Sequence, residues 1–335
     1  MIRLGVAGYG YWGPNLVRNF FANHQFKVLA VADPSATARE ALARTYPGVL
    51  ALADASELLA RQDIDAMAIA TPVATHYELS AQALKAGKHV LVEKPLSMRV
   101  EEANDLVALA KRQGLTLLVD HVFLFHNAVR KLKELVQTNS IGQVSYYDSL
   151  RVNLGLFQPD VNVLWDLAPH DFAIMNYLFG DDPEHVEATG YCHVNANVPD
   201  IAYVTAHYQS HMIAHLNLSW MSPVKVRRIA VGGKKQMVVW DDLNLEERIK
   251  IYNSGIEFRP ESERLVPSYR IGDVLSPRIG QREALAGVVE EFARVIIEKE
   301  DSIIDGTQGV RVVRLLEMTQ VALDRSLRAV RTSLS

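Results

Sequence analysis

The stretch that decides the fold is GYGYWG at residues 8–13, which follows the apolar run IRLGVA at residues 2–7. In such a pattern the first glycine permits a tight turn, the second lets the backbone approach a pyrophosphate, and the third lets a helix pack closely on a strand. The N-terminus of that helix then faces the anion. A strand, this turn and a helix in succession predict a dinucleotide-binding site. The predicted contacts are Gly8, Gly10, Tyr11, Trp12 and Gly13.

An acidic residue at the end of the next apolar run supports this interpretation. Asp33 lies about 20 residues after the last glycine, where a ribose-binding carboxylate is expected. A carboxylate there accepts hydrogen bonds from ribose hydroxyls and repels a 2′-phosphate, which favours NAD over NADP. Ser35 and Arg39 lie nearby and leave NADP open. The alternative is an ordinary tight turn with a surface Asp33 bonded to its neighbours.

The first third of the chain alternates short apolar runs with amphipathic stretches, such as residues 78–86 and 100–112. The runs are rich in Val, Ile, Leu and Ala, as parallel strands covered on both faces are. Alternation of strands and helices predicts a doubly wound α/β sheet. The predicted strands are residues 2–7, 27–32, 66–70, 89–92 and 115–119.

The pattern changes after about residue 120, so we predict a dinucleotide-binding domain over residues 1–120 and a second domain over residues 121–335. Residues 143–153 and 211–220 alternate between apolar and polar, which indicates half-exposed, mainly antiparallel strands. In the first of these, one face carries Val144, Tyr146, Leu150 and Val152, and the other carries Ser145, Tyr147, Ser149, Arg151 and Asn153. The polar stretch 257–281, interrupted by prolines, predicts a long loop or lid.

Composition excludes several classes of protein. The 335 residues are 49% hydrophobic and 22% charged, which is ordinary for a folded domain, and the formal net charge of −4 offers no basic excess for nucleic acid. No apolar run approaches the ~20 residues of a membrane span, and the N-terminus lacks the zones of a signal peptide. The single cysteine, Cys192, cannot form an internal disulfide and fits a cytoplasmic protein. No zinc-binding spacing is present, so we expect no metal.

A second candidate segment, ATPVATH at residues 70–76, follows the predicted strand 66–70. Ligands of doubly wound sheets bind at the carboxyl ends of the strands, where this loop would lie. We therefore predict that Thr71, Pro72 and His76 contact the dinucleotide. For His76 the alternative is a residue at a helix start with no ligand role.

The third segment is VLVEKP at residues 90–95, which places two charges at the end of a strand that should be buried. Burial of a cation is costly unless a partner is near. Lys94 at this edge can donate a hydrogen bond to a substrate hydroxyl and stabilise a developing alkoxide, while Glu93 holds it in place. Both Glu93 and Lys94 are also predicted to contact the dinucleotide. Pro95 would fix the turn. The alternative is a solvent-facing lysine in a loop.

The fourth segment is WDLAPHD at residues 165–171. On a helix, Asp166 and His170 are four residues apart and share a face. Histidine is a natural base for a hydroxyl proton near neutral pH, and Asp166 could orient it. Asp171 is predicted to cap the first turn of the helix. The alternative for His170 is a buried, hydrogen-bonded histidine.

The order and spacing of GYGYWG, EKP at residues 93–95 and DLAPHD at residues 166–171 resemble the glucose–fructose oxidoreductase / inositol dehydrogenase (Gfo/Idh/MocA) family. The resemblance implies an N-terminal Rossmann domain and catalytic roles for Lys94 and His170, with Asp166 in support. It also implies a C-terminal domain built on a large open mixed, mainly antiparallel sheet, whose outer face forms a homodimer or homotetramer.

Within that family, RVNLG at residues 151–155 followed by VLWDLAPHD is similar to the branch that oxidises C3 of UDP-linked N-acetylglucosamine or its uronic acid. Arg151 could bind a carboxylate or phosphate through both arms of its guanidinium, and Asn153 could bind a sugar hydroxyl. The alternative for both is an exposed strand face. The predicted substrate contacts are Lys94, Arg151, Asn153, Trp165, Asp166 and His170.

The sequence thus predicts an NAD-dependent sugar dehydrogenase, in which His170 removes a hydroxyl proton, Lys94 binds the oxygen and a hydride passes to the nicotinamide. One alternative is a dehydrogenase or ketoreductase of the same family acting on inositol, a free sugar or a dTDP-sugar. Two others are an NAD-dependent glycosidase and a non-catalytic dinucleotide sensor, although a sensor would need neither Lys94 nor His170.

Overall fold

The chain is divided into two compact units in a computed structural model that describes residues 1–155, 157, 161–261 and 264–334. Unit 1 comprises residues 1–125 and 282–314, and unit 2 comprises residues 126–281 and 315–335. The predicted boundary at residue 120 therefore omits a C-terminal segment of unit 1. Helix Ala284–Glu298 of that segment packs on the first helix of the chain, and its Phe292 ring lies 6.4 Å from that of Phe20.

A six-stranded parallel sheet forms the centre of unit 1, which confirms the predicted doubly wound α/β fold. Its strand order is β3-β2-β1-β4-β5-β6. The strands are β1 (Ile2–Ala7), β2 (Phe26–Ala32), β3 (Leu50–Leu52), β4 (Ala66–Ile69), β5 (His89–Glu93) and β6 (Leu117–Asp120). Strand β3 was not predicted, although it lies in the short apolar run VLALA at residues 49–53; its three residues are exposed or half-buried.

Helices connect these strands, and their ends follow local chemistry. Ser35 caps α2, Asp54 and Glu57 form a capping box at α3, and α5 ends at Gly114 with φ 64°. The helices of unit 1 are α1 (Gly13–Ala22), α2 (Ala36–Thr45), α3 (Ala55–Ala60), α4 (His76–Lys85), α5 (Val100–Gln113) and α8 (Ala284–Glu298). Because all six strands are parallel, the segments that follow them meet at one edge of the sheet.

Unit 2 is built on an eight-stranded sheet of order β16-β13-β12-β11-β7-β10-β9-β8. Among the described strand pairs of this sheet, β10 and β7 are parallel and the others are antiparallel, so the predicted mixed, mainly antiparallel sheet is confirmed. Its strands are β7 (Val144–Leu154), β8 (His185–Tyr191), β9 (Ile201–His207), β10 (Ile213–Ser219), β11 (Met221–Gly233), β12 (Met237–Asp241), β13 (Ile249–Tyr252) and β16 (Val274–Leu275).

Three helices belong wholly or partly to unit 2. They are α6 (Asn127–Gln137), α7 (Val163–Phe179) and α9 (Gly306–Leu334), the last of which begins in unit 1. Helix α7 packs against β9 and β10, and the predicted alternation of β10 is confirmed, since Ala214, Leu216 and Leu218 are buried. Among the described helices, none is long and apolar enough to cross a membrane.

Strand β7 is buried on the face that its sequence marks as the more polar one. Tyr147, Ser149 and Arg151 are buried, while Tyr146 and Leu150 are half-buried. The expectation that Arg151 lies on an exposed face or binds a ligand is thus at odds with its position. The physical reason is a buried carboxylate on the neighbouring helix, described below.

The polar stretch 257–281 is not a loop throughout, which corrects the sequence interpretation. Strands β14 (Gly255–Glu261) and β15 (Arg264–Arg270) form a separate two-stranded antiparallel sheet, and residues 274–275 extend the large sheet as β16. Pro260 and Pro267 lie in these two strands. A two-stranded hairpin has only edge strands, where a proline without an N–H is tolerated.

Candidate active site

The glycine-rich turn has the geometry that a dinucleotide requires. Gly8 has φ 96°, and a Cβ there would lie 2.4 Å from the carbonyl oxygen of Ala70. A Cβ at Gly13 would lie 2.3 Å from the carbonyl oxygen of Gly8, so both positions exclude a side chain. A Cβ at Gly10 would meet no heavy atom within 4 Å. The middle glycine therefore leaves open space in front of the N-terminus of α1, where a pyrophosphate would fit.

Asp33 is held beside this turn at the end of β2. One carboxylate oxygen accepts the backbone N–H of Tyr9 at 2.7 Å, and the other accepts that of Ser35 at 2.8 Å. The residue is 9% exposed, so it is not the surface carboxylate of the alternative interpretation. Arg39 donates to the carbonyl oxygens of Asp33 and Pro34, both at 2.8 Å. A fixed acid and a neighbouring guanidinium thus stand where a ribose would be recognised.

The loop after β4 is tied to the segment after β5 by His76. The ring is 1% exposed, with Nδ1 at 2.8 Å from the carbonyl oxygen of Pro95 and Nε2 at 2.9 Å from that of Thr71. This is the geometry of a link between two backbone segments, rather than of a side chain presented to a ligand. The structure thus shows a contact of His76 with both segments, and its contact with the dinucleotide stays a prediction. Pro72 is exposed and Thr71 is half-buried.

Lys94 follows β5 directly, at the same edge of the sheet, and is half-buried. The Lys94–Pro95 peptide bond is cis. The backbone N–H of Lys94 donates to Oε2 of Glu93 at 3.0 Å. Glu93 therefore holds the backbone from which the Lys94 side chain projects.

Trp12, which was predicted to contact the dinucleotide, also bonds within unit 1. Its indole N–H donates to Oδ2 of Asp120 at 3.0 Å. Asp120 ends β6 and pairs in register with Glu93, which ends β5. Burial raises the pKa of the Glu93 carboxyl well above its usual range, and the charge of Asp120 adds to the effect. Burial also raises the pKa of Asp120, against the hydrogen bonds from Glu93 and Trp12.

His121 is a buried residue for which no sequence motif indicated a role. It follows Asp120 at the sheet edge, is 1% exposed, and its two ring nitrogens find no hydrogen-bond partner within the described part of the chain. Burial, with the nearby charge of Lys94, lowers the pKa of His121 to about 3, so the ring is neutral at physiological pH. The sequence feature that could have indicated His121 is its position directly after an apolar strand.

In unit 2, helix α7 carries Asp166 and His170, which lie one turn apart as predicted. The side chain of Asn162 caps the helix by accepting the backbone N–H groups of Leu164 and Trp165. This cap places Asp166 in the first turn, where a carboxylate is favoured. Both Asp166 and His170 are half-buried, so the alternative of a fully buried histidine is not what is found.

Trp220, for which no sequence motif indicated a role, fixes the carboxylate of Asp166. Its buried indole donates to Oδ2 of Asp166 at 3.0 Å. Trp165, predicted as a substrate contact, is buried and donates its indole N–H to Gln320 at 3.0 Å. The amide of Asn153 donates to the carbonyl oxygen of Leu154 at 3.1 Å. Trp165 thus uses its polar atom inside unit 2, which leaves only its ring for a substrate.

Arg151 and Asp171 form a buried ion pair, which corrects two predictions. The guanidinium Nε lies 2.7 Å from Oδ2 of Asp171 and its NH2 lies 3.3 Å from Oδ1. The carboxylate that Arg151 binds is therefore one of the protein's own and not one of a ligand. Asp171 lies in the third turn of α7 and does not cap it. Ser149 and Tyr147 donate to the same carboxylate, at 2.7 and 3.4 Å. The pair explains why the polar face of β7 is the buried one.

A parallel sheet with a glycine turn, a fixed ribose-site acid and a lysine at the same edge defines a dinucleotide-dependent oxidoreductase. Within the described residues, no group of three or more His, Cys, Asp or Glu could hold a metal ion. The profile of the oxidoreductase family with an NAD-binding Rossmann fold matches residues 2–121, and that of the GFO/IDH/MocA C-terminal domain matches residues 129–239. The chain belongs to the GFO/IDH/MocA oxidoreductase family.

Relatives in this family include enzymes acting on nucleotide-linked sugars. The chain is 28% identical to the UDP-N-acetylglucosamine 3-dehydrogenase of Acidithiobacillus ferrooxidans over 97% of this chain and 98% of that protein. A structure of that enzyme superposes with a TM-score of 0.81 at 26% identity, covering 97% of this chain and 99% of the other. A dTDP-3,4-didehydro-2,6-dideoxy-alpha-D-glucose 3-reductase of Streptomyces violaceoruber is 38% identical over 43% of this chain and 42% of that protein.

Proposed function

We propose that this chain is an NAD-dependent dehydrogenase that acts on a secondary hydroxyl, at C3, of a nucleotide-linked sugar such as UDP-N-acetylglucosamine or its uronic acid. The observation that carries the proposal is similarity over nearly the full length of both chains to a UDP-N-acetylglucosamine 3-dehydrogenase. Full-length similarity includes the second domain, which we expect to hold the substrate. The presence of Lys94 and His170 supports catalysis over simple binding.

The proposed chemistry relies on a cation, Lys94, and a base, His170. When bound, the nicotinamide supplies the hydride acceptor. Lys94 donates a hydrogen bond to the substrate oxygen and stabilises the negative charge that develops there, an effect worth about 10²–10³-fold in comparable sites. His170 takes the hydroxyl proton, which contributes about 10²–10⁴-fold. Asp166, held by Trp220, supports His170 or a substrate hydroxyl.

We propose NAD as the preferred dinucleotide on the strength of Asp33. Its carboxylate is fixed by two backbone N–H groups and is placed to accept from ribose hydroxyls and to repel a 2′-phosphate. Arg39 is the opposing feature, because its guanidinium could bind that phosphate if it left the carbonyl oxygens of Asp33 and Pro34. Parallel assays with NAD and NADP test this preference directly.

The decisive experiment is a screen of UDP-sugars, dTDP-sugars, inositols and free sugars for NADH formation. We expect turnover with UDP-N-acetylglucosamine or its uronate, and loss of about 100-fold or more in Lys94→Ala and His170→Ala. Dinucleotide binding should stay near that of the wild type in His170→Ala. Exposed residues of the same types supply the matched controls, Lys111→Ala and His24→Ala, which should keep full turnover.

Other outcomes of the same screen would identify another function. Turnover with inositol or dTDP-sugars alone would replace the proposed substrate with another of the family. Dinucleotide that survives purification, with no net NADH from any alcohol, would favour a glycosidase that oxidises its substrate transiently. Dinucleotide binding without turnover, unaffected by Lys94→Ala, would favour a sensor and would refute the proposal.

We further propose that the enzyme is a homodimer or homotetramer joined through the outer face of the large sheet, and that it works in the cytoplasm. Large side chains on strands β8 to β10 are exposed on that face, among them Tyr203 and Ile213. The single Cys192 suits a reducing compartment. Sedimentation of the wild type and of Ile213→Glu tests the interface, since a charge there should dissociate the oligomer.

A further inference from the structure

Trp220 is a large side chain in the interior of unit 2 whose one polar atom bonds to a residue of the candidate site. It is fully buried and lies directly after β10. Its indole N–H donates to Oδ2 of Asp166 at 3.0 Å. Because the residue is fully buried, it cannot touch a substrate or a dinucleotide. Any effect of Trp220 on the reaction must therefore pass through Asp166.

The ends of two other strands fix the backbone of Trp220. Its N–H donates to the carbonyl oxygen of Asp200, the residue before β9, at 3.0 Å. Its carbonyl oxygen accepts the N–H of Gly155, the residue after β7, also at 3.0 Å. Since β10 pairs with both β7 and β9, these two bonds continue the sheet beyond the last residue of β10. The position from which the indole projects is thus set by the strand register.

The indole occupies the space that a side chain at position 155 would need. A Cβ at Gly155 would lie 2.5 Å from Cγ of the Trp220 ring and closer still to Cδ1. Two carbon atoms in van der Waals contact are about 3.5–4.0 Å apart, so no side chain fits there while the ring stays in place. The φ of Gly155 is not positive, so the backbone alone does not require glycine. The ring of Trp220 is therefore the reason for the glycine that ends RVNLG at residues 151–155.

The carboxylate of Asp166 receives this donor at the start of helix α7. Asn162 caps the helix and so fixes the backbone of its first turn, which carries Asp166. The side chain of Asp166 still has two rotatable bonds, and a free carboxylate would populate several rotamers. A donor held rigidly in the protein interior selects one of them. His170 lies one turn further along the same helix face, so the selected orientation also sets how the carboxylate meets that side of α7.

We propose that Trp220 and Gly155 are positioning residues for the reaction. Gly155 leaves room for the indole, and the indole N–H holds the carboxylate of Asp166 in the orientation that serves His170 or a substrate hydroxyl. A displacement of about 1 Å in a reacting group can cost about 10²-fold in rate, so a loss of about tenfold is expected when this one hydrogen bond is removed. The catalytic meaning of the inference rests on the proposed function, but the contacts can be measured without it.

A double-mutant cycle tests whether Trp220 acts through Asp166. Trp220→Phe keeps an aromatic ring and removes the N–H donor, and Asp166→Ala removes the acceptor. If the effect passes through Asp166, Trp220→Phe should lower kcat/KM about tenfold in the wild type and by no more than about twofold in Asp166→Ala. An equal loss in both backgrounds would show a general effect of packing and would overturn the proposal. Unchanged turnover in Trp220→Phe would also overturn it.

Two matched variants separate positioning from loss of stability. Trp240 is also fully buried, on strand β12 of the same sheet. Trp240→Phe should lower the melting temperature about as much as Trp220→Phe but keep turnover, when both are assayed well below their melting temperatures. Gly155→Ala displaces the indole without removing it and should also lower kcat/KM about tenfold. Gly48→Ala, whose Cβ would meet no heavy atom within 4 Å, should keep full turnover. Full turnover in Gly155→Ala would refute the role of that glycine.

Nuclear magnetic resonance of the indole N–H groups separates failure of the inference from failure of the proposed function. The chain has four tryptophans, and the signal lost in Trp220→Phe identifies that of Trp220. It should shift in Asp166→Ala and in Gly155→Ala, and stay in place in Asp181→Ala, which removes an exposed carboxylate. An unchanged signal in Asp166→Ala would overturn the inference even if the sugar is oxidised. A shifted signal without oxidation of any sugar would confirm the contact and count against the proposed function.

Discussion

Replacement of Arg151 by methionine tests whether this arginine serves the fold or a ligand. Arg151 is 3% exposed and binds the fully buried Asp171 through two hydrogen bonds, Nε to Oδ2 at 2.7 Å and NH2 to Oδ1 at 3.3 Å. Methionine fills much of the same volume but removes the charge. Asp171 would keep the hydroxyls of Ser149 and Tyr147 and lose its cation.

The expected loss is large because a buried carboxylate is left without its partner. Breaking a buried ion pair by removing one member costs about 3–5 kcal/mol, against about 0–1 kcal/mol for an exposed pair. In a domain of this size each kcal/mol lowers the melting temperature by about 2–4 °C, so we expect a decrease of about 6–20 °C. Removing both charges, as in Arg151→Met with Asp171→Leu, should restore most of the stability.

Urea and thermal unfolding followed by circular dichroism measure this effect. Arg228→Met is the matched control, because Arg228 lies on the adjacent strand β11 and is exposed. It should change the free energy of unfolding by no more than about 0.5 kcal/mol. The reasoning would be refuted if Arg151→Met melted like the wild type while the KM for the nucleotide sugar rose, since Arg151 would then bind substrate.

Three further predictions concern unit 1. His121 has a pKa of about 3 in the folded protein, below the ~6.5 of an unfolded chain. As pH falls below about 6.5, the unfolded chain binds a proton at His121 before the folded protein does. The free energy of unfolding therefore decreases over this range. Between pH 7 and pH 5 the free energy of unfolding of His121→Phe should therefore rise by about 2 kcal/mol relative to that of the wild type. Parallel curves of unfolding free energy against pH would contradict this. Asp33→Ser should weaken NAD binding about 10- to 100-fold and shift the ratio of kcat/KM toward NADP, and an unchanged ratio would exclude Asp33 from ribose recognition. His76→Phe should lower the free energy of unfolding by about 1–3 kcal/mol and raise the KM for the dinucleotide, because the loops of Thr71 and Pro95 lose their link; normal values of both would refute that role.

Much of the fold of unit 1 was predictable because its signals are local. The apolar runs at residues 2–7 and 89–92 mark β1 and β5 to within a residue, since strands buried on both faces must be apolar throughout. The assignment of residues 282–314 to unit 1 was not predictable. An amphipathic helix shows that one face is covered but does not show which core covers it.

Some residues of the candidate site were likewise predictable from the sequence, and others were not. The motifs identified the glycine turn, Asp33, Lys94, Asp166 and His170, and the structure places the first three at one sheet edge and the last two on one helix. The roles of Trp220 and His121 carry no motif. They depend on contacts between residues that are far apart in the sequence, such as the hydrogen bond from the Trp220 indole to Asp166.

The amino-acid sequence alone determined the local conformation and the binding chemistry of the glycine turn, because a positive φ at Gly8 and the close contact at Gly13 are demands of a few neighbouring atoms. Only the tertiary structure decided which face of β7 is buried and which carboxyl groups lie side by side. Arg151 is buried because Asp171 of another element meets it, and Glu93 lies beside Asp120 because β5 and β6 are neighbours in the sheet. Electrostatic free energies depend on such neighbours and on their removal from water, and neither is written in a local pattern.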